Sequence, residues 1–215
     1  MCYDEDWGDK FSWYVGPLNR AGNNRVQACD NEMKQFTNAG VAKSSLGLGI
    51  PFYGRRWPGV TQALQQSNFN KTITFSYRCL ANDPTRWQQA YMKYDTKYNA
   101  NYLSIPSPAE FDSYTDRQFL TTAVNWGKNT EGVGGYMVFT IEYEYLGAPY
   151  GAAGWPNNGC ANLTTGPTGD AAFPLSTALY NAVLSTYNLT VVRNESAPHR
   201  VLDFAFLNPQ TVVAR

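Results

Sequence analysis

The sequence predicts an α/β fold, in which buried strands alternate with helices and a segment of different character is inserted between two of them. Residues 46–52 and 133–141 are apolar runs bounded by turn-forming residues, which is typical of strands buried on both faces of a parallel sheet. Hydrophobic residues make up 43% of the 215 residues and charged residues 16%, so the chain can bury a sizeable core.

Residues 1–54 are predicted to form a strand–helix–strand unit with a right-handed crossover. Residues 1–4 end a strand, and residues 5–24 form a loop. A helix is predicted over residues 24–39, before Gly40, because apolar side chains recur there at spacings of three and four. These apolar positions are Val26, Cys29, Met33 and Phe36. The strand at residues 46–52 completes the unit.

Residues 55–112 are predicted to be an inserted α+β domain. Alternating apolar and polar residues at 72–77 and 102–105 favour short antiparallel strands. A brief helix is predicted around residues 86–89. We therefore expect this segment to form a small sheet beside the main unit.

Residues 113–187 return to the alternation of helices and buried strands. The pattern predicts a helix at 116–128, the last strand at 133–141 and a closing helix at 173–187. Residues 188–215 contain two prolines and are interpreted as a linker or tail.

Charge and targeting signals exclude several classes of function. Seventeen basic and seventeen acidic residues cancel, so we expect neither nucleic acid nor a membrane as a partner. No run approaches the roughly 20 apolar residues of a spanning helix, and no signal peptide precedes the first motif. No metal or cofactor motif is found, and the lone His199 is expected to be solvated. Sequons that fit a secreted glycoprotein begin at Asn70, Asn162, Asn188 and Asn194.

Three short motifs follow one another in the order of neighbouring strands. They are MCYD at residues 1–4, GIPFYGR at 49–55 and GVGGYMV at 132–138. Together with the insertion after the second motif, they resemble strands six, seven and eight of glycoside hydrolase family 18, the chitinase family. The resemblance covers residues 1–187. It implies the C-terminal part of a TIM (β/α)8 barrel that carries the α+β chitinase insertion domain.

The resemblance also implies a set of substrate-binding residues at the ends of these strands. The Tyr3 phenol would orient the substrate's acetamido group, and the Asp4 carboxylate would accept hydrogen bonds from sugar hydroxyls. The implied substrate-binding set is Met1, Tyr3, Asp4, Tyr53, Arg55 and Phe139. Phe139 stands where the family usually has a tryptophan, so the aromatic floor is smaller here and lacks the indole N–H.

The general acid of the family is absent from this sequence. The strand-four motif Asp-x-x-Asp-x-Asp-x-Glu, which supplies it, occurs nowhere, and the acidic cluster at residues 4–9 has the wrong spacing. Glu142 and Glu144 are expected to be exposed or paired with basic neighbours. Loss of general acid catalysis typically costs about 10²–10⁴-fold in rate. The family is one of glycosidases, and we expect this chain to be inactive alone.

The four cysteines are compatible with secretion. Animal-type chitinases bridge positions that match Cys79 and Cys160, so the resemblance implies a disulfide between them. Cys2 is interpreted as a buried thiol, and its pairing with Cys29 is left open.

Three hypotheses follow for the function. The first is the C-terminal part of a secreted, extracellular family 18 chitinase that binds β-1,4-linked N-acetylglucosamine polymers. The full-length parent would hydrolyse them by substrate-assisted retaining catalysis. The second is a non-catalytic chitinase-like lectin, and the third is a truncated, non-functional fragment. The implied partners are chitin or N-acetylglucosamine oligosaccharides, and the missing N-terminal half of the barrel.

Overall fold

The computed structural model describes residues 2–6, 10–147, 165–188, 190–192, 204–208 and 211–214. The helices are α1 (Cys29–Asn38), α2 (Tyr77–Ala81), α3 (Arg117–Trp126) and α4 (Pro174–Tyr187). The strands are β1 (Gly47–Pro51), β2 (Tyr53–Pro58), β3 (Ile73–Ser76), β4 (Met92–Asp95), β5 (Ala100–Pro106), β6 (Ala109–Tyr114), β7 (Gly135–Phe139), β8 (Thr190–Val192), β9 (Phe204–Asn208) and β10 (Thr211–Ala214). Shorter helical turns are Lys43–Ser45, Phe69–Lys71, Gly127–Glu131, Ile141–Glu144 and Gly169–Ala172.

A small parallel sheet positions the candidate site. Strands β1 and β7 pair in parallel, with Pro51 opposite Phe139 at their carboxyl ends. The segment 2–4 runs along the other edge of β1, where the Cys2 N–H donates to the Gly49 carbonyl at 3.3 Å. Three chain segments therefore lie side by side in the order 2–4, β1, β7.

A five-stranded antiparallel sheet in the order β3-β2-β6-β5-β4 forms within residues 53–114. The chain passes from β1 to β2 through Phe52 alone, so it leaves the parallel sheet and enters the antiparallel one at a single residue. This change of sheet places Tyr53 and Arg55 directly after the carboxyl end of β1.

In the part of the chain that the structure describes, the two faces of the parallel sheet differ in their burial. Leu48 and Ile50 of β1 are buried with Phe119 and Leu120 of α3 in the main hydrophobic core. On the opposite face, Met137 and Phe139 of β7 are 44% and 38% exposed. The exposed face of β7 therefore carries an apolar surface next to the candidate site.

Two predicted helix boundaries differ from the structure for local reasons. Helix α1 begins at Cys29 rather than near residue 24, because residues 21–25 form a turn in which Asn23 Oδ1 accepts the Arg25 N–H at 3.0 Å. Helix α3 is capped by Asp116, which accepts the Phe119 N–H at 2.8 Å. The helix ends in the turn Gly127–Glu131, followed by Gly132 in the left-handed conformation that glycine favours.

The brief helix predicted around residues 86–89 is wrong. Asp83 starts a turn there by accepting the N–H groups of Thr85 and Arg86 at 2.9 and 3.3 Å, but the chain does not continue from this turn into a helix. A helix forms instead at Tyr77–Ala81, directly after strand β3. Ser76 caps it, since its Oγ accepts the Cys79 N–H at 3.3 Å.

The interpretation of residues 188–215 as a linker or tail stays a prediction, but parts of this range form strands that were not predicted. Strands β8, β9 and β10 form a three-stranded sheet there, in which β10 pairs with both others. Valine, threonine and phenylalanine are frequent in these segments and favour strands. The predicted boundaries at 54/55 and 112/113 fall inside β2 and β6, and the division into domains stays a prediction.

Glu144 is fully buried, which corrects the expectation that it is exposed or paired with a basic residue. Its carboxylate accepts hydrogen bonds from the Ser176 N–H at 3.0 Å and from the Leu175 N–H and Ser176 hydroxyl. Glu144 therefore caps the start of helix α4. Glu142 is exposed.

Among the residues that the structure places, none of the helices has the length and hydropathy that a membrane span needs.

Candidate functional site

An aromatic cluster lies at the carboxyl ends of the parallel segments. The ring centroids of Tyr3 and Phe139 are 5.8 Å apart, and those of Tyr3 and Tyr53 are 6.1 Å apart. Phe139 also lies 6.3 Å from Tyr53 and 6.1 Å from Tyr143. Tyr53 is buried, whereas Tyr3 and Phe139 are partly exposed, so two of the rings reach the surface.

Asp4 supplies the exposed carboxylate of this site. Its side chain is 45% exposed, and its backbone has φ of 62°, in the left-handed region that aspartate tolerates better than most residues. Oδ1 of Asp4 accepts the Tyr53 hydroxyl at 2.7 Å and the Arg55 Nη2 at 3.3 Å. Two buried side chains therefore fix the orientation of an exposed acceptor.

The Arg55 guanidinium lies behind Asp4, and each of its three nitrogens donates a hydrogen bond. Its side chain is 7% exposed. Nε donates to Oδ2 of Asp6 at 2.9 Å, and Nη1 donates to the Thr74 hydroxyl at 2.7 Å. The guanidinium carbon also lies 4.9 Å from the ring centre of Phe69. Arg55 thus joins the parallel segments to strand β3 and holds two carboxylates.

Burial keeps the phenols of the site protonated. It raises the pKa of Tyr53, and the hydrogen bond to Asp4 raises it further. Burial and the neighbouring Asp4 charge also raise the pKa of Tyr3. Both side chains therefore remain hydrogen-bond donors at physiological pH.

The site residues predicted from the sequence divide into exposed and buried groups. Tyr3, Asp4 and Phe139 reach the surface, and Tyr53 and Arg55 lie beneath them. Met1 lies outside the described residues, so its predicted contact with substrate stays a prediction.

The predicted modification sites are only partly covered by the structure. Asn70 and Asn188 are exposed, whereas Asn162, Asn194 and Cys160 lie outside the described residues. The Cys79–Cys160 disulfide therefore stays a prediction. Cys2 and Cys29 are both buried free thiols.

Sequence reasoning missed four residues that complete the site. They are Asp6, Thr74, Phe69 and Tyr143. The sequence could have indicated Asp6, because it follows Asp4 by two residues and Arg55 carries the opposite charge. The others come together only through the pairing of β2 with β3 and the turn after β7.

The arrangement combines flat apolar surface with a fixed carboxylate. Such a surface suits neutral ligands with apolar C–H faces and hydroxyl groups. Within the described ranges, no group of three or more His, Cys, Asp or Glu side chains is placed to bind a metal ion.

The comparison with protein families agrees with the geometry of the site. The family model for glycosyl hydrolases family 18 matches residues 1–144. The match covers more than half of the chain, in an α/β arrangement whose strand ends carry the polar and aromatic side chains. The chain belongs to glycosyl hydrolases family 18.

Solved structures with the same fold include plant chitinases and a related lectin. A chitinase-like agglutinin from Robinia pseudoacacia has a TM-score of 0.58 and 21% identity over 85% of this chain and 46% of its own. A class V chitinase from Nicotiana tobaccum has a TM-score of 0.60 and 18% identity, over 86% of this chain and 48% of its own. A chitinase from Cycas revoluta in complex with (GlcNAc)3 has a TM-score of 0.54 and 20% identity, over 67% of this chain and 42% of its own.

This chain therefore spans less than half the length of these three structures. A comparison with curated protein sequences found no match.

Proposed function

We propose that the chain binds β-1,4-linked N-acetylglucosamine oligosaccharides, using Tyr3, Asp4 and Phe139 as one wall of a longer cleft. The observation that carries this proposal is the partly exposed ring of Phe139 beside a carboxylate that two buried side chains hold in place. An aromatic face can pack against the C–H face of a sugar, while the carboxylate accepts hydrogen bonds from hydroxyl groups. The Cycas chitinase bound to (GlcNAc)3 supports this class of ligand.

We further propose that segment 2–4, β1 and β7 correspond to strands six, seven and eight of a (β/α)8 barrel. Their order, the parallel pairing of β1 with β7 and the antiparallel sheet that follows β1 support this correspondence. In such barrels, binding residues lie at the carboxyl ends of the strands, as Asp4 and Phe139 do here. The exposure of Met137 and Phe139 on β7, among the described residues, supports an N-terminal half of such a barrel as a partner.

Binding without hydrolysis is the activity we propose for this chain by itself. The Asp4 carboxylate beside the aromatic cluster is held as an acceptor by hydrogen bonds from Tyr53 and Arg55, and the Asp6 carboxylate is ion-paired with Arg55. A fluorogenic chitobioside incubated with the chain should show no hydrolysis above the buffer rate. Appreciable hydrolysis would refute this part of the proposal.

The test of binding is calorimetry with the N-acetylglucosamine tetramer and with cellotetraose, which lacks acetamido groups. We expect the tetramer with acetamido groups to bind more tightly. Phe139→Ala should weaken its binding about tenfold, because one aromatic contact is worth about 0.5–1.5 kcal/mol beyond the buried area. The matched control is Phe36→Ala, which removes an exposed aromatic ring on helix α1. Equal effects of the two variants, or no binding of the tetramer, would overturn the proposal.

A non-catalytic lectin is the second candidate. Two observations favour it: Phe139 in place of the usual tryptophan, and the likeness of the fold to the Robinia agglutinin. The coding sequence upstream of residue 1 separates the candidates. An intact Asp-x-x-Asp-x-Asp-x-Glu motif there would favour the enzyme. A motif that lacks the final Glu would favour the lectin, and a stop codon just upstream would favour the truncated fragment.

We also propose an extracellular location. The exposure of Asn70 and Asn188 is compatible with glycosylation there. Treatment of the native protein with an N-glycosidase should lower its mass, and an unchanged mass would argue against these sites.

A further inference from the structure

The buried ion pair between Asp6 and Arg55 lies directly behind the proposed saccharide site. We propose that Asp6 is a positioning residue whose ionised carboxylate holds Arg55 in place behind Asp4, and that protonation of Asp6 weakens saccharide binding. The inference rests on the proposed function and adds to it a residue and a dependence on pH. It assigns no direct contact with the sugar to Asp6, which is fully buried.

The geometry makes Arg55 a bridge between two carboxylates of different exposure. Its Nε lies 2.9 Å from Asp6 Oδ2, and its Nη2 lies 3.5 Å from Asp6 Oδ1 and 3.3 Å from Asp4 Oδ1. The fork of a guanidinium matches a carboxylate in one plane, so the Asp6 contact fixes the direction of the remaining N–H groups. One of these groups then holds the Asp4 oxygen that also accepts the Tyr53 hydroxyl.

The charges around Asp6 explain why its protonation state matters. Arg55 and Tyr53 face it from β2, and Asp4 and Glu5 face it from its own segment. Burial raises the pKa of Asp6 to about 6, although Arg55 opposes the change. At pH 7 the carboxylate is therefore mostly ionised, and at pH 5 it is mostly protonated. A neutral Asp6 binds the guanidinium less strongly, which lets Arg55 and the attached Asp4 carboxylate leave their bound geometry.

The neighbouring residue on β2 offers a matched control. Arg56 forms a second buried pair with Asp112, with Nε 3.1 Å from Oδ1 and Nη2 3.1 Å from Oδ2. Asp112 is also fully buried, and burial likewise raises its pKa to about 6. Successive residues of a strand point to opposite faces, so this pair lies away from Asp4. Loss of either carboxylate removes a buried ion pair, but only Asp6 is connected to the site.

The experiment measures the affinity of the N-acetylglucosamine tetramer between pH 5 and pH 7 for wild type, Asp6→Asn and Asp112→Asn. We expect wild type to bind about tenfold more weakly at pH 5. This pH is one unit below the pKa of Asp6, where only about a tenth of its carboxylate is ionised. Asp6→Asn should bind about tenfold more weakly at pH 7 and show little change with pH. Asp112→Asn should keep the wild-type affinity and profile.

The outcomes separate this inference from the proposed function. If wild type binds the tetramer and Asp6→Asn has the same affinity and pH profile, the role of Asp6 is refuted while the saccharide site stands. If Asp112→Asn loses the pH profile as Asp6→Asn does, the effect is one of general stability and the inference also fails. If wild type does not bind, both proposals fall.

Should Asp6→Asn not fold, Asp6→Glu provides the test. It keeps the charge, so we expect it to retain a fall in affinity with falling pH. Loss of the pH dependence in a folded Asp6→Glu variant would overturn the inference.

Discussion

Glu5 is a buried carboxyl group between the candidate site and the acidic start of helix α1. Among the described residues, its Oε1 has no hydrogen-bond partner. Burial raises its pKa to about 8, and the negative charge of Glu32 adds to the effect. The folded protein therefore holds a proton that the unfolded chain releases above about pH 4.5.

The pKa of Glu5 predicts a loss of stability as pH rises. Between pH 4.5 and pH 8 the folded state binds more protons than the unfolded state, so the free energy of unfolding falls across this range. Glu5→Gln mimics the protonated side chain and should remove this contribution. At pH 9 we expect the variant to be more stable than wild type by at most about 5 kcal/mol, as measured by urea denaturation.

Two comparisons control this prediction. Below pH 4 the two proteins should have similar stability, since Glu5 is then protonated in both states. Glu32→Gln should give a smaller stabilisation at pH 8, because it removes one repelling charge and leaves Glu5 buried. Parallel curves of stability against pH for wild type and Glu5→Gln would contradict the assigned pKa.

At the scale of residues, the motifs did not predict which candidate side chains reach the surface. Tyr3, Asp4 and Phe139 are partly exposed where the motifs end, but Tyr53 and Arg55 are buried and act from behind. A motif identifies a position on a strand, whereas exposure depends on the packing of distant segments. The partner of Arg55 on β3 and the burial of Asp6 could not be deduced without the antiparallel sheet.

Helix α4 depends on a cap from a distant segment. Its first residue is Pro174, and Phe173 before it offers no side-chain cap. The Glu144 carboxylate supplies the missing acceptor for the Ser176 and Leu175 N–H groups. Burial raises the pKa of Glu144, while these hydrogen bonds lower it in part.

Removal of this cap should destabilise the protein. Glu144→Ala leaves two backbone donors without an acceptor at the start of helix α4, where Pro174 and Leu175 are buried, and we expect a loss of about 1–3 kcal/mol in the free energy of unfolding. Glu142→Ala, an exposed change in the same turn, should alter stability by less than about 0.5 kcal/mol. Chemical denaturation of both variants measures the difference, and equal stabilities would show that the cap contributes nothing.

At the scale of elements, the apolar runs predicted the two strands of the parallel sheet, but the sequence did not predict the local turns. The runs at residues 46–52 and 133–141 contain β1 and β7, since a strand buried in a parallel sheet has a distinctive apolar run. The turn at Asp83 and the turn before α1 are held by local side-chain hydrogen bonds, in which Asp83 accepts the Thr85 and Arg86 N–H groups and Asn23 accepts the Arg25 N–H. The spacing of apolar residues carries no information about such bonds, so periodicity alone does not reveal these turns.

Among the described residues, the two-stranded parallel sheet and the five-stranded antiparallel sheet differ in their protection from water. Strands β5 and β6 have neighbours on both sides within the five-stranded sheet. In the part of the chain that the structure describes, β7 pairs only with β1, and it exposes Met137 and Phe139 on one face. Parallel sheets are normally covered on both faces, so the region around β7 is expected to open most easily.

Hydrogen exchange of backbone amides tests this difference. The Phe139 carbonyl oxygen accepts the Phe52 N–H at 2.8 Å, so Phe139 and Met137 direct their backbone groups toward β1. Because alternate residues point to opposite edges, Tyr136 and Val138 direct their N–H groups to the edge away from β1. Their amides should exchange fastest within β7, and those of Leu103 and Phe111, in β5 and β6, should exchange slowest. Amides exchange slowly only when they are hydrogen-bonded or buried. Strong protection of the Tyr136 and Val138 amides would therefore contradict an open edge and would indicate that another strand pairs with β7.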